Sequence, residues 1–287
     1  MGWDEALPLW CALWGVLALA GYGMALAGVT KGRRTVRLTG RIERVRPPTH
    51  GGSRKGGVSV VVTYRDPVSG QDVTVTNEGD RGEMITAAWE GRTVGVTHPR
   101  GRPHAYGFTD TPQHPTRGLG WPTFALFLVY AGLVVLAAID QGWPWALIGF
   151  GGPFALLGAV QLPGAVRARN RRVASLSAME AVPGKVVAVL KDVTVDQDDG
   201  STATTLTPVI AFTTADGTAV TAFCTRHLPN PAHAFGREVT VHHTPTDPAD
   251  FTLSPESDLR SRHQDVTLHA LFVALFTATA TAGTLLL

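Results

Sequence analysis

LGWPTFALFLVYAGLVVLAAIDQGWPWALIGFGGPFALLGAVQLPGAV, residues 119–166, contains one charged side chain, Asp140, between two long apolar runs. The runs, 119–139 and 143–166, each exceed the roughly 18 apolar residues that mark a bilayer-spanning helix at about 1.5 Å rise per residue. A helix buried in a water-soluble core normally keeps a polar stripe, and neither run has one. The link of Asp140, Gln141 and Gly142, followed by Pro144, leaves room only for a tight antiparallel hairpin. Trp121 marks one membrane boundary and Trp143 and Trp145 the other, where amphipathic rings are favoured.

Two more runs have the same character: LPLWCALWGVLALAGYGMALAGV at 7–29 and VTLHALFVALFTATATAGTLLL at 266–287. The first is read as a retained helix. GMALAG offers small residues, but MGWDE is acidic where a signal peptide is basic, and the run exceeds a signal core of about 7–15 residues. Only 17% of the 287 residues are charged, and nearly all of these lie between the four runs, so the chain reads as an integral membrane protein. Lys31, Arg33, Arg34, Arg37 and Arg117 border the first long intervening segment; Arg167, Arg169, Arg171, Arg172, Arg260 and Arg262 border the second. The opposite side, MGWDEA, the DQG turn and the chain end, carries no lysine or arginine. The bias predicts both segments in the cytoplasm and both termini outside, with the arginines as membrane-flank anchors. A net charge of +2 gives no reason to expect a nucleic-acid partner. Cys11 lies in the first helix and Cys224 in the second segment, so no bridge is expected between them; an unpaired Cys224 fits a reducing compartment.

The two segments resemble each other. GRTVGVTHPRGRPHAYGF from Gly91 aligns with GREVTVHHTPTDPADFTL from Gly236, placing Val94 on Val239, Val96 on Val241, His98 on His243 and Tyr106 on Phe251. GRIERV from Gly40 matches GKVVAV from Gly184, and VVVTYRDPVSGQDVTVT from Val60 matches VIAFTTADGTAVTAF from Val209 with a shorter turn. Repeats of this kind govern the whole fold. Valine- and threonine-rich alternation predicts strands at 38–45, 58–65, 72–76, 92–97 and 105–108, then at 184–193, 206–213, 218–223, 238–243 and 250–253. Asp216-Gly217 marks a tight hairpin turn. The fold class is therefore α+β: four transmembrane helices and two duplicated small antiparallel barrel or sandwich modules, at 38–110 and 182–255. A body of this size buries a limited core alone, so packing of the modules together, or tethering at both ends, would help both.

Gly184, Asp216-Gly217, Gly236, Val239, Val241, Pro245, Asp247 and Pro248 resemble the pattern of the bacterial membrane family called domain of unknown function 3592. The first copy departs from it, with Arg100 in the place of Pro245 and Arg102 in that of Asp247. The resemblance implies membrane-anchored β modules and brings no activity with it.

Several residue groups carry potential chemistry. His242 and His243 are adjacent on a strand and point to opposite faces, so one ion cannot easily take both. A zinc site would need Cys224, His227 or His233 to converge with one of them; the plainer expectation is that His243, like His98, caps a strand at the module surface. Asp247 and Asp250 could do acid–base work, but the prolines beside them favour turns. The loop HGGSRKGG carries Arg54 and Lys55, and DQDDGST carries Asp196, Asp198 and Asp199; two solvated loops are expected, though opposite charge could pair the modules. Within the apolar runs Gln161 and His269 are the notable polar groups. Gly23 and Ala27, Gly151 and Ala155, and Ala278 and Ala282 have the spacing of close helix contacts, within the chain or between copies.

No residue is assigned a catalytic, cofactor-binding or metal-ligating role, and no cofactor is expected. The expected function is a non-enzymatic membrane-anchored binding or scaffold protein. Its partners would be the bilayer and either another protein or a second copy. The alternative is an accessory subunit of a transporter or channel, and the least favoured is a hydrolase using Cys224, His227 and Asp247.

Overall fold

The computed structural model describes residues 3–27, 35–54, 57–67, 70–78, 83–99, 102, 104–110, 119–195, 201–224 and 228–287. Among these are four α-helices and eleven strands, which separate into a helical unit and a strand unit.

The helices are α1 (Trp3–Leu26), α2 (Gly120–Gln141), α3 (Pro144–Ser177) and α4 (Pro255–Leu285), all long and apolar enough to cross a membrane. Gly142, with φ of 104°, ends α2, and its N–H closes back on the Ala138 carbonyl at 3.1 Å. That positive-φ glycine makes the two-residue link of Gly142 and Trp143 possible. Helices α3 and α4 both continue well past their apolar runs, to Ser177 and from Pro255. In these extensions Arg172 meets Asp258, with Nη2 and Nε at 2.6 and 2.8 Å from Oδ2. Arg172 is 9% exposed and Asp258 2%. Arg172 is therefore not the lipid-flank anchor its neighbours in sequence indicate; it is half of a buried ion pair that ties α3 to α4.

Of the small-residue rows, only part is used within the chain. A Cβ on Gly151 would lie 2.7 Å from the Ala280 backbone nitrogen, and one on Gly283 2.8 Å from Ile148, so these glycines let α3 and α4 approach closely. Gly21 against Pro122 and Gly132 against Cys11 do the same for α1 and α2. Gly23 instead faces open space, and Ala27, Ala278 and Ala282 are exposed. Four-residue spacing identifies a row along a helix but not the direction in which the row faces.

The strands are β1 (Thr35–Arg46), β2 (Ser59–Arg65), β3 (Asp72–Thr76), β4 (Ala87–Ala88), β5 (Thr93–Pro99), β6 (Gly107–Thr109), β7 (Glu180–Val195), β8 (Thr202–Thr213), β9 (Ala219–Phe223), β10 (Glu238–Thr244) and β11 (Asp247–Thr252). They form two antiparallel sheets, ordered β3-β2-β1-β5-β6 and β11-β10-β7-β8-β9-β4. Apart from β4, the second sheet follows the same path as the first. Both long opening strands carry a bulge at the same place, between Ile42 and Arg44 in β1 and between Val186 and Ala188 in β7. Just before each bulge the strand is closed identically. Ile42 exchanges backbone hydrogen bonds with Gly91 and Arg92, and Val186 with Gly236 and Arg237. Gly91 and Gly236 hold φ of 90° and 77°, a conformation that disfavours side chains. The pairings shift one expected alignment by a residue: Val61, not Val60, occupies the place of Val209, and Tyr64 that of Phe212.

The sheets are not two separate bodies. One apolar cluster joins Ile42, Val60, Val62, Ile85, Val94 and Phe108 to Ala188, Leu190, Val209 and Phe223 of the second segment. A second cluster, around Ile210, Phe212, Val220 and Val241, includes Ala87 of the first. Strand β4, absent from the sequence expectation, pairs Ala87 with Ala222 and Ala88 with Thr221. The loop after β1 lies along β7: Gly51 N–H donates to the Val189 carbonyl and Lys191 N–H to that of Gly52, both at 2.9 Å. The β7 bulge explains this second seam. Before it, Val186 points into the second cluster; after it, Ala188 and Leu190 point into the first. An extra residue flips the facing of everything that follows, so one strand serves both cores.

Candidate functional site

A concavity of about 490 Å³ in the strand unit lies where the two segments meet. Its floor is the stretch of β8 beyond the end of β9, Thr205 to Pro208, and its walls include Phe223, Cys224, Leu228 and Pro231. Met84, Thr86 and Arg54 of the first segment complete it. Local sequence explains why β9 stops here. Pro208 has no N–H to offer a neighbour, so only its carbonyl is used, accepting from Cys224 N–H at 2.8 Å. At the equivalent place in the first sheet Val60 does have an N–H. The Asn77 amide bridges it, accepting from Val60 N and donating to Val58 O at 2.7 Å each.

Charge at the rim is set by the loop docked on β7. Ser53 Oγ donates to Asp192 at 2.7 Å, and the Arg54 guanidinium lies 3.5 Å from the same carboxylate. The expectation of a freely solvated basic loop is therefore corrected for residues 50–54, which are held by backbone bonds and by stacking of His50 on Phe235 at 4.2 Å. Lys55, Asp196, Asp198 and Asp199 lie outside the described residues. On the opposite wall Thr86 donates to Asp110 at 2.6 Å, and Asp110 also receives Arg92. The cavity thus combines apolar walls, threonine hydroxyls and one guanidinium, a composition suited to a small molecule with an apolar body and a polar or anionic end.

Cys224 is buried in the cavity wall. Asp247 begins β11, four strands from β9 in the sheet order. Its Oδ1 accepts the Ala249 N–H at 3.1 Å, the local bond of a turn. His227 lies outside the described residues. Cys224 directly follows β9, so it and Asp247 belong to strands that are not neighbours in the sheet. Asp250 accepts from Thr244 and Ser175 at 3.1 and 3.2 Å and is likewise structural. In the β8–β9 turn, hydrogen bonds from the Thr214 hydroxyl and the Thr218 backbone N–H hold the Asp216 carboxyl below its ordinary range.

His98 and His243 are not surface caps. They are 2% and 1% exposed, among the largest fully buried side chains. In each, Nδ1–H donates to the next residue's carbonyl, Pro99 at 3.0 Å and Thr244 at 3.2 Å. Each ring stacks on the equivalent aromatic of the neighbouring sheet position, Tyr64 or Phe212. Period two gave the signal: His98 shares a face with Val94 and Val96, and His243 with Val239 and Val241. His242 points the other way and is half-buried. Among the described residues no three His, Cys, Asp or Glu side chains converge as metal ligands.

In the helical unit, Gln161 and His269 come together. They line a groove of about 250 Å³ between α3 and α4 with Leu157, Gly158, Leu268 and Phe272. His269 Nδ1–H donates to the Asp265 carbonyl at 2.7 Å, which fixes the ring and leaves Nε2 as its outer edge. No family model, curated protein or solved structure matches the chain.

Proposed function

We propose that this chain is a membrane-anchored binding protein whose ligand enters the cavity between its two β segments. The observation that carries the proposal is the position of that cavity: its walls come from both segments, so occupancy couples to the packing of one against the other. The ligand is a small molecule with an apolar body and an anionic end, which Arg54 and the hydroxyls of Thr205 and Thr207 receive. The arginine distribution in the sequence supports a cytoplasmic strand unit with both chain ends outside. The common strand path, bulge and glycine closure support an origin by tandem duplication, and the resemblance to the domain of unknown function 3592 family belongs to this proposal.

The test uses 4-(trifluoromethyl)benzoate as the probe on the full chain in lipid nanodiscs, read by fluorine NMR against empty nanodiscs. Saturable line broadening is expected for the wild type. It is weakened by Arg54→Gln and abolished by Leu206→Trp, which fills the cavity from a half-buried position. A wild type without saturable binding, or Leu206→Trp that binds as well as wild type, removes the proposal.

A further inference from the structure

The groove between α3 and α4 has a charge pattern at its mouth. At 100° per residue, Arg262 lies about 20° from His269 on one side of the α4 face and Asp265 about 40° on the other. The two side chains meet with Nη1 and Oδ2 3.7 Å apart, and they are 41% and 52% exposed. They are thus a loose surface pair at a common depth, open to exchange with a ligand that offers both signs. Beneath them the chain turns apolar at Val266, and His269 sits about one helical turn, or about 5 Å, further in. Gln161 faces it from α3, and the rest of the groove lining is hydrocarbon: Leu157, Gly158, Leu268 and Phe272. The two helices are held together on either side of the groove, and Gly158 packs against Phe272 at its base. Arg172 and Asp258 tie the helices beyond the charged mouth, and Gly151 and Gly283 seat them closely beyond the apolar floor.

A hydrocarbon slot, a hydrogen-bonding step and a plus–minus pair at the apolar boundary match the order of groups along a zwitterionic phospholipid. We propose that the groove seats one phospholipid with a primary ammonium headgroup of the phosphoethanolamine type. One acyl chain lies along Leu157, Leu268 and Phe272, over the close contact of Gly158 with Phe272, and the Gln161 amide donates to an ester carbonyl. The phosphate takes Arg262 and the ammonium takes Asp265. A quaternary headgroup cannot donate a hydrogen bond to Asp265, and an anionic glycerol headgroup sets a phosphate beside that carboxylate with no cation to offset it. The headgroup choice therefore rests on Asp265, and the proposal is independent of the cavity in the strand unit.

The experiment is native mass spectrometry of the full chain released from micelles containing equal amounts of palmitoyl-oleoyl phosphatidylethanolamine, phosphatidylcholine and phosphatidylglycerol. One phosphatidylethanolamine is expected to survive activation, favoured over the other two by about fivefold, the scale of one exposed charge contact. Asp265→Asn brings the ratio to phosphatidylcholine close to one, and Arg262→Gln lowers retention of all three. Arg260→Gln, on the opposite face of the same helix turn, leaves the pattern unchanged. Gln161→Leu combined with His269→Leu lowers phosphatidylethanolamine retention. Equal retention of the three lipids in wild type, a preference for phosphatidylglycerol, or an Arg260→Gln effect equal to that of Arg262→Gln overturns the proposal. Because residues 260, 262 and 265 are solvent-facing, helix content measured by circular dichroism stays at the wild-type level in the single variants.

Discussion

Leu190→Ala tests whether the two β segments are one body. Leu190 is 1% exposed, belongs to the second segment in sequence, and packs in the cluster that holds Ile42, Val60 and Val62 of the first. Truncation removes three carbons, about 2.4 kcal/mol of transfer free energy at about 0.8 per methylene. The cavity left in a close-packed interior raises the cost to about 3–4 kcal/mol. If the cluster is shared, that loss is felt on both sides of it. Amide hydrogen exchange on the full chain, read on peptides covering 58–64 and 206–213, should then accelerate in both by about two to three orders of magnitude. Val62→Ala, placed in the first segment, should produce the reciprocal pattern. Loss of protection confined to 206–213 in Leu190→Ala, with 58–64 unchanged, would refute the shared core and return the molecule to two independent modules.

Arg172→Met strands the Asp258 carboxylate inside the α3–α4 contact and should cost about 3–5 kcal/mol, whereas Arg172→Met with Asp258→Leu should recover most of that loss. Thermal unfolding in detergent distinguishes this from a lipid-facing arginine, for which the single change would leave the midpoint unmoved. Tyr64 provides a pH signature. Burial first, then the Asp66 and Tyr106 charges, push its phenol above the ordinary tyrosine value. The folded chain then keeps a proton that the unfolded chain releases above about pH 10. Stability is full below that pH and declines as pH rises towards the raised folded value, by up to about 1.4 kcal/mol per unit. Tyr64→Phe should make the alkaline decline shallower in denaturant titrations at pH 9 and 11; an identical slope would remove the assignment.

Much of the site was hidden for a definite reason. The cavity depends on where β9 ends relative to β8, and on the approach of Met84, Thr86 and Arg54, residues more than a hundred positions from Cys224 in the chain. No local pattern encodes that approach. Some signals were nevertheless present. The run VVAVL at 186–190 does not alternate, which is the mark of a strand covered on both faces. His98 and His243 had the parity of the core valines, and only the polarity of imidazole argued for the surface. Gln161 and His269 were visible as unusual polar groups, but their meeting across α3 and α4 required the antiparallel packing of those helices.

By itself the sequence determined the four apolar helices, the tight link between the second and third, and two strand sets of the same plan, because helix length, hydrophobic period and turn chemistry are local. Which glycines face a neighbour, that Arg172 is buried against Asp258, and that the two sheets share their cores were decided by tertiary structure alone. The physical reason is clearest at β7. A single bulged residue, Val187, reverses which side chains point to which core, and whether that reversal is favourable depends on apolar surface supplied by a segment far away in the chain.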